Sequence, residues 1–407
     1  MNLSWRRLFA VLITLAIGGA LPCAASGEWD FSGVVFGEVR TFPEKPRFAS
    51  QANTTFSPSL VIQPELVYEW NDRRDRVTIE PFLRLDAHDD HRTHADLREA
   101  SWLHQADDWD LVVGISKVFW GVTESRHLVD IINQTDQVED IDIEDKLGQP
   151  MVNLNLIQDW GTVSLFVLPG FRERTFPDDD ARLRGLLPVD VNHPSFESDA
   201  EGLHVDYAAR WAHTVDEWDI GVAHFYGTTR QPFFRRSTRP SGQMVFIPRY
   251  DLIHQTSLDL QYTTGAWLWK LEAIVRSGHG DPFFASVAGF EYTFFQIFES
   301  TADLGVLAEY QYDGRDLGAA PFTLNDDDFF IGARVTLNDE QDTALLAGTI
   351  IDRNVGSVLL FVEAERRLSG HWKLEVESRL FPYVPYDDLA AGFRNDGFIT
   401  TRLSYFF

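Results

Sequence analysis

Leu60-Val61-Ile62-Gln63-Pro64-Glu65-Leu66-Val67-Tyr68-Glu69-Trp70 runs into Asn71-Asp72-Arg73-Arg74-Asp75 and out again as Val77-Thr78-Ile79-Glu80-Pro81-Phe82-Leu83-Arg84-Leu85-Asp86. Leu60, Ile62, Pro64, Leu66, Tyr68 and Trp70 fall in one phase of period two, with Gln63, Glu65 and Glu69 in the other. After the polar turn, Val77, Ile79, Pro81, Leu83 and Leu85 oppose Thr78, Glu80, Arg84 and Asp86. Alternation of this kind gives a strand one apolar and one polar face, and the two strands read as a hairpin. The same pattern recurs down the chain. Leu203, Val205, Tyr207, Ala209 and Trp211 oppose Asp206 and Arg210; Trp267, Trp269, Leu271, Ala273 and Val275 oppose Lys270, Glu272 and Arg276. In Trp372, Leu374, Val376, Ser378 and Leu380 every residue of the opposite phase, Lys373, Glu375, Glu377 and Arg379, is charged.

The spacing predicts about 18 such strands, with 16 as the nearest alternative, and the connections between them alternate in length. Tight ones at 71–75, 106–108, 159–161, 214–217, 263–265, 297–301, 338–342 and 369–371 alternate with longer ones, notably 121–150, 171–201 and 228–251. A soluble sandwich has no reason to sort its loops by length. A transmembrane antiparallel up-and-down β-barrel does, with short turns in the periplasm and long loops outside. Trp29, Tyr68, Trp70, Trp109, Trp211, Trp218, Tyr226, Tyr262, Trp267, Trp372 and Tyr405 fall at strand ends in the apolar phase, where a barrel carries its interfacial girdles. The chain stops on Ile399, Thr401, Leu403, Tyr405 and Phe407 in one phase. An amphipathic last strand ending in Phe resembles the signal by which outer-membrane barrels are recognised for insertion, so Leu403, Tyr405 and Phe407 are the expected assembly signal and the barrel-assembly machinery an expected partner.

Composition agrees once the alternation is seen. The 407 residues carry 35 Lys+Arg against 62 Asp+Glu, a net charge of −27, which excludes a basic nucleic-acid binder. Mean hydropathy is −0.19, and beyond the first thirty residues no apolar run is long enough for a membrane helix. Lipid-facing and water-facing residues in alternation produce that average. The N-terminus has Arg6 and Arg7, an apolar run from Leu8 to Leu21 and small residues at Ala24 and Ala25, the pattern of a secretory signal peptide. Residues 1–25 are expected to be cleaved, leaving 26–407 as a single barrel domain without cysteine, since the one Cys is Cys23. The expected location is the outer membrane of a Gram-negative cell, among lipid and lipopolysaccharide.

Asp96-Leu97-Arg98-Glu99-Ala100-Ser101-Trp102-Leu103, Trp109-Asp110-Leu111-Val112-Val113-Gly114, Trp120-Gly121 and Asp130-Ile131-Ile132-Asn133-Gln134-Thr135-Asp136 together resemble a pattern of porin-like barrels related to alginate-export proteins. The resemblance covers about a tenth of the chain and implies a pore-forming barrel. The chain departs from it at Ile115 and Ser116, where those relatives often carry Arg and Gln, and at Thr135, where they carry Pro. A strongly acidic chain also argues against a polyanionic cargo.

About 18 strands leave an aqueous channel rather than a filled interior. The polar phase places Glu65, Glu69, Glu80, Arg84, Arg98, Arg210, Arg276, Arg334, Glu363, Glu365, Arg367, Glu375, Glu377 and Arg379 on the lumen, with Glu38, Arg40, Glu272 and Arg402 among others. Such a wall either forms a salt-bridged ladder or sets up a transverse field that sorts solutes by charge. Loops near 121–150 and 171–201 are expected to fold inward. In the first, Leu128, Ile131 and Ile132 have helical spacing, which predicts a short inward-packed helix over 125–133, and Glu139, Asp140, Asp142, Glu144 and Asp145 form an acidic run that would favour cations as a constriction lining. His88-Asp89-Asp90-His91 with His94 reads as a charged external hairpin tip rather than a zinc site, and no metal or cofactor is expected. Phosphate loops, dinucleotide glycines and a nucleophile motif are absent, so no catalytic residue is expected. The reading is a porin-like channel for passive diffusion of small hydrophilic solutes, cation-preferring. The alternatives are a substrate-specific uptake or export barrel for an oligosaccharide, an aromatic acid or a lipid-like compound, with Phe233, Phe234 and Phe246 as a binding track, and an outer-membrane hydrolase.

Overall fold

A computed structural model describes residues 27–407; the expected signal peptide lies outside them. The strands are β1 (Glu28–Thr41), β2 (Phe56–Trp70), β3 (Asp75–Asp86), β4 (His94–Gln105), β5 (Trp109–Ser116), β6 (Gln149–Gln158), β7 (Gly161–Pro169), β8 (Ser195–Phe196), β9 (Val205–Val215), β10 (Trp218–Thr228) and β11 (Phe233–Thr238). They continue as β12 (Met244–Tyr250), β13 (Leu252–Thr264), β14 (Trp267–Ser277), β15 (Phe283–Phe294), β16 (Asp303–Asp313), β17 (Asp327–Thr336), β18 (Ala344–Asp352), β19 (Val358–Arg367), β20 (Trp372–Tyr383) and β21 (Phe398–Phe406). All but β8, β11 and β12 belong to one 18-stranded antiparallel sheet in which each strand pairs with its chain neighbours. β1 also pairs with β21, from Val34↔Phe406 to Thr41↔Ile399, so the sheet closes and has no edge. The seam ends on Phe407, whose backbone N–H and C=O bond Gly33 at 3.1 Å in both directions.

Alternation sets which side faces what. Leu60, Ile62, Leu83, Leu85, Val167, Val222, Val275, Ile331 and Leu345 lie exposed on the outer wall, while Glu38, Arg84, Asp206, Glu272, Glu309 and Gln311 point inward and are buried. Trp29, Trp218, Trp267, Trp269, Trp372 and Tyr405 are exposed at the rim of the tight turns, and Trp160 joins them from a turn. That is the apolar band with an aromatic girdle of a membrane-spanning barrel. The turn after β2 puts Asn71, Asp72 and Arg73 in the left-handed region, a conformation that short polar side chains tolerate best.

Two features differ from the sequence expectation. The connection 229–251 contains a β-hairpin, β11–β12, with β8 from connection 170–204 added parallel to β12 (Arg249↔Ser195, Tyr250↔Phe196). Phe234 is the reason the hairpin holds its place. Its ring lies 5.5 Å from Phe176, 5.3 Å from Phe246 and 5.6 Å from Phe322, so these rings pack one another rather than forming an open track. Residues 125–133 also form no helix.

Candidate functional site

The connection 117–148 leaves the wall at the end of β5, crosses the lumen and returns to β6, bonded on the way to strands on both sides of the barrel. Asn133 fixes its base. The side-chain amide donates to the carbonyls of Ser116 and Leu147, both at 2.9 Å, and its oxygen accepts from the N–H of Val118 at 2.8 Å. Trp120 stacks edge-on against Phe166 at 5.7 Å, and the Arg210 guanidinium sits 5.2 Å over its indole while bonding Asp259 at 2.6 and 2.8 Å.

The first half, 120–132, lies against the inner wall of β6 to β15. Leu128, Val129, Ile131 and Ile132 pack on Phe166, Leu168, Ala223, Phe225, Ile253 and Ile274. Where the helix was expected, the segment is tied to the wall through backbone donors. Glu272 accepts from the N–H groups of Val122 (2.8 Å), Thr123 (3.1 Å) and Val129 (3.1 Å), and Glu309 accepts from those of Glu124 and Ser125, both at 2.8 Å. Of these donors only Val129 would have an acceptor within a helix over 125–133; the bonds anchor the chain to buried carboxylates of the wall, and charge-assisted bonds are the stronger ones. Glu124 reaches Arg334 at 2.7 Å, and Arg126 reaches Asp313 at 2.8 Å.

The second half is a tongue. The N–H of Asp136 donates to Asp145 O and that of Leu147 to Gln134 O, both at 2.8 Å, and residues 137–144 project beyond this short ladder. Five arginines of the wall and its loops clamp the tongue. Arg98 bonds Asp136 at 2.6 Å; Arg84 forks onto Glu139, its Nε donating at 2.9 Å; Arg40 pairs with Asp140 at 3.3 Å; Arg92 donates to Val138 O at 2.9 Å; Arg379 bonds Asp142 at 2.8 Å. Behind them Glu38, 2% exposed, accepts from Arg92 at 2.6 Å and Arg402 at 3.0 Å, with Arg84 at 3.4 Å. Ile141 enters the apolar clusters of Phe42, Leu183 and Phe398 and of Phe381, Val384 and Phe393. The motif segments around Arg98, Trp120, Asn133 and Asp136 are therefore the stitches that hold the loop inside.

Most of the predicted lumen residues are paired. Glu65 accepts from Ser32 at 3.3 Å, Glu69 pairs with Arg73 at 3.3 Å, Glu80 lies 3.8 Å from Lys117, and Arg276 donates to Gln255 at 2.9 Å. Glu363 pairs with Arg379 at 2.8 Å, Lys373 bridges Glu365 and Glu375 at 2.7 and 3.1 Å, and Arg367 meets Asp342 at 3.0 Å by the turn rim. The ladder arrangement prevails at these positions. Glu377 is half-buried beside them. The acidic run divides: Glu139 and Asp140 are buried in ion pairs and Asp142 is tied to Arg379, whereas Glu144 and Asp145 are exposed to the lumen and have no ion-pair partner among the described residues. Burial within the barrel, and then the repulsion of Asp142, push Glu144 up to about 7; burial and then Glu139 do the same for Asp145.

In the segment read as an external tip, His88 and Asp90 are exposed, while its second half makes inward contacts. His91 Nδ1 donates to Phe176 O at 2.9 Å, and Arg92 is buried in the clamp. Arg92 and Glu309 were not among the expected site residues. Glu309 was findable from its phase, between Leu307 and Gln311, but nothing local marks Arg92. His94 Nε2 lies 3.6 Å from Asp136 and 3.7 Å from Glu139, a donor set that suits a metal ion. Both carboxylates already accept from Arg98 and Arg84, which occupy the cationic positions. On the turn side of the tongue lies a cavity of about 390 Å3, lined by Phe36, Phe82, Phe119, Lys117, Glu144, Asp145, Lys146, Arg84, Arg98 and Arg402.

Fold and site together define a class: a closed 18-stranded barrel, apolar outside and charged inside, with a loop stitched across its lumen. No protein family matches the chain, and no curated protein matches it in sequence. In fold it is similar to OpdO of Pseudomonas aeruginosa, at 10% identity over 94% of this chain and 96% of that one, with a TM-score of 0.52. An engineered variant of the Rh. blastica porin aligns at 10% identity over 93% of this chain and 100% of that one, with a TM-score of 0.44.

Proposed function

We infer that the chain is an outer-membrane, porin-like channel through which small hydrophilic solutes diffuse passively, with a preference for cations. The observation that carries this is the wall itself: lipid-compatible outside, charged inside, and narrowed by a loop whose stitches are buried ion pairs rather than by a filled core. Charged lumen faces require water, and 18 strands provide room for it. The cation preference is supported by Glu144 and Asp145, which line the cavity without an ion-pair partner among the described residues. Kinship with alginate-export-type barrels rests on the segments whose residues Arg98, Asn133 and Asp136 stitch the loop. Lipid and lipopolysaccharide are the partners of the outer belt, and Leu403, Tyr405 and Phe407 are read as the recognition signal for assembly after export and loss of residues 1–25. No step of this function uses a cofactor or covalent chemistry. Liposome swelling tests it. Vesicles holding the folded protein should swell in isotonic solutions of small sugars and amino acids, faster for smaller solutes; rates equal to those of empty vesicles would refute passive diffusion.

A further inference from the structure

Resting on that channel reading, we propose that the cavity beneath the tongue selects organic cations: solutes bearing a protonated amine on a small apolar or aromatic body. The charge inventory of the cavity carries the argument. Its arginines are spoken for, Arg84 by Glu139 and Glu38, Arg98 by Asp136 at 2.6 Å and Asp96 at 3.0 Å, and Arg402 by Glu38 at 3.0 Å. Lys146 is held by Asp130 at 3.0 Å, and Lys117 lies 3.8 Å from Glu80. An anionic solute would have to break pairs that also hold the tongue in place. Glu144 and Asp145 have no such engagement, so the uncompensated charge in this space is negative.

The apolar half of the site is a separate observation. Phe36 already carries Arg402 over its face at 4.7 Å, and Phe82 carries Arg98 at 4.2 Å. Phe119 carries no guanidinium and is 60% exposed although it lies inside the barrel, where water would otherwise cover an uncompensated ring. Its edge contact is His127 at 4.8 Å, and His127 is itself turned to Glu272 at 3.6 Å. A ring open on one side and two free carboxylates in one cavity of about 390 Å3 are complementary to an ammonium group on an apolar body.

The test is block of single-channel current at pH 8 by three probes: 2-phenylethylamine, which has ring and positive charge, ethylamine, which has the charge alone, and phenylacetate, which has the ring with the opposite charge. At this pH Glu144 and Asp145 are ionised. The groups that face them are Asp136, Glu139, Asp140 and Asp142 of the tongue, His127 of the same loop, Glu363 of β19 and Arg379 of β20. 2-Phenylethylamine should block at about ten-fold lower concentration than either other probe, the size of one extra favourable contact of about 1.4 kcal/mol. Glu144→Gln with Asp145→Asn should weaken block by both amines and remove the advantage of 2-phenylethylamine over phenylacetate, and each single variant should remove part of it. Phe119→Ala should bring 2-phenylethylamine to the level of ethylamine and leave ethylamine unchanged. Folding of every variant is checked by its shifted gel migration before boiling. Conductance steps blocked as well by phenylacetate, or block unchanged in both single variants and in Phe119→Ala, overturn the cation site and leave the channel standing. Absence of any steps removes the channel reading and the site with it.

Discussion

Glu38 and Arg84 show what single residues do in this lumen. Both are almost completely shielded, and each is tolerable there only because the other and its neighbours are charged. Arg84→Ala leaves Glu139 without its fork and Glu38 with one cation fewer, so it should cost about 3–5 kcal/mol, the range for breaking a buried pair from one side. Unfolding in urea, followed by gel shift, measures it. Arg84→Lys should recover little, since an ammonium cannot make the two parallel bonds. Glu144 and Asp145 behave differently because they are unpaired. With both pushed up to about 7, they are neutral below that value and charged above it. The cation-to-anion permeability ratio should therefore rise between pH 5.5 and pH 8.5; reversal potentials in a salt gradient that stay constant over that window would show that these carboxylates do not face the conducting path. Much of this scale was legible beforehand, because period two assigns every strand residue a side. Which inward charges would be paired was not, since Arg92, Asp136 and Glu139 meet β1, β3 and β4 only through folding of loops that carry no periodicity.

At the scale of elements, strands were readable and loops were not. Each barrel strand buries one face and exposes the other to lipid, so its register is fixed by pattern. Residues 125–133 carry helical spacing in Leu128, Ile131 and Ile132 but are held to the wall, the N–H groups of Val129 and Ser125 going to Glu272 and Glu309, far along the chain and invisible to a local reading. The hairpin β11–β12 was missed for a similar reason: its neighbours are Phe176 and Phe322 from other connections rather than the barrel sheet. The tongue is the element with the clearest consequence. Its removal, by replacing 137–144 with a short glycine-serine link between the ladder strands, should raise single-channel conductance and weaken ion preference while the barrel stays folded, because Arg40, Arg84 and Arg92 retain Glu38 and Asp86 as partners. Unchanged conductance would place the narrowest point elsewhere.

Over the whole molecule, a net charge of −27 and a mean hydropathy of −0.19 describe a protein with two surfaces that cancel in the average. The outer one is apolar and ringed by Trp and Tyr at the turn rim; the inner one holds most of the ion pairs; β1 and β21 join them into a closed wall. Closure and alternation were written in the chain from the hairpin at 60–86 onward, whereas the shape of the passage depends on how three long connections pack on one another inside. The central claim is that this wall encloses a water-filled path across a membrane. Insertion of the purified, folded protein into a planar lipid bilayer tests it most directly. Discrete current steps are expected, linear in voltage and larger when potassium replaces a bulky cation; a bilayer that stays silent in the presence of heat-modifiable, folded barrel would overturn the channel.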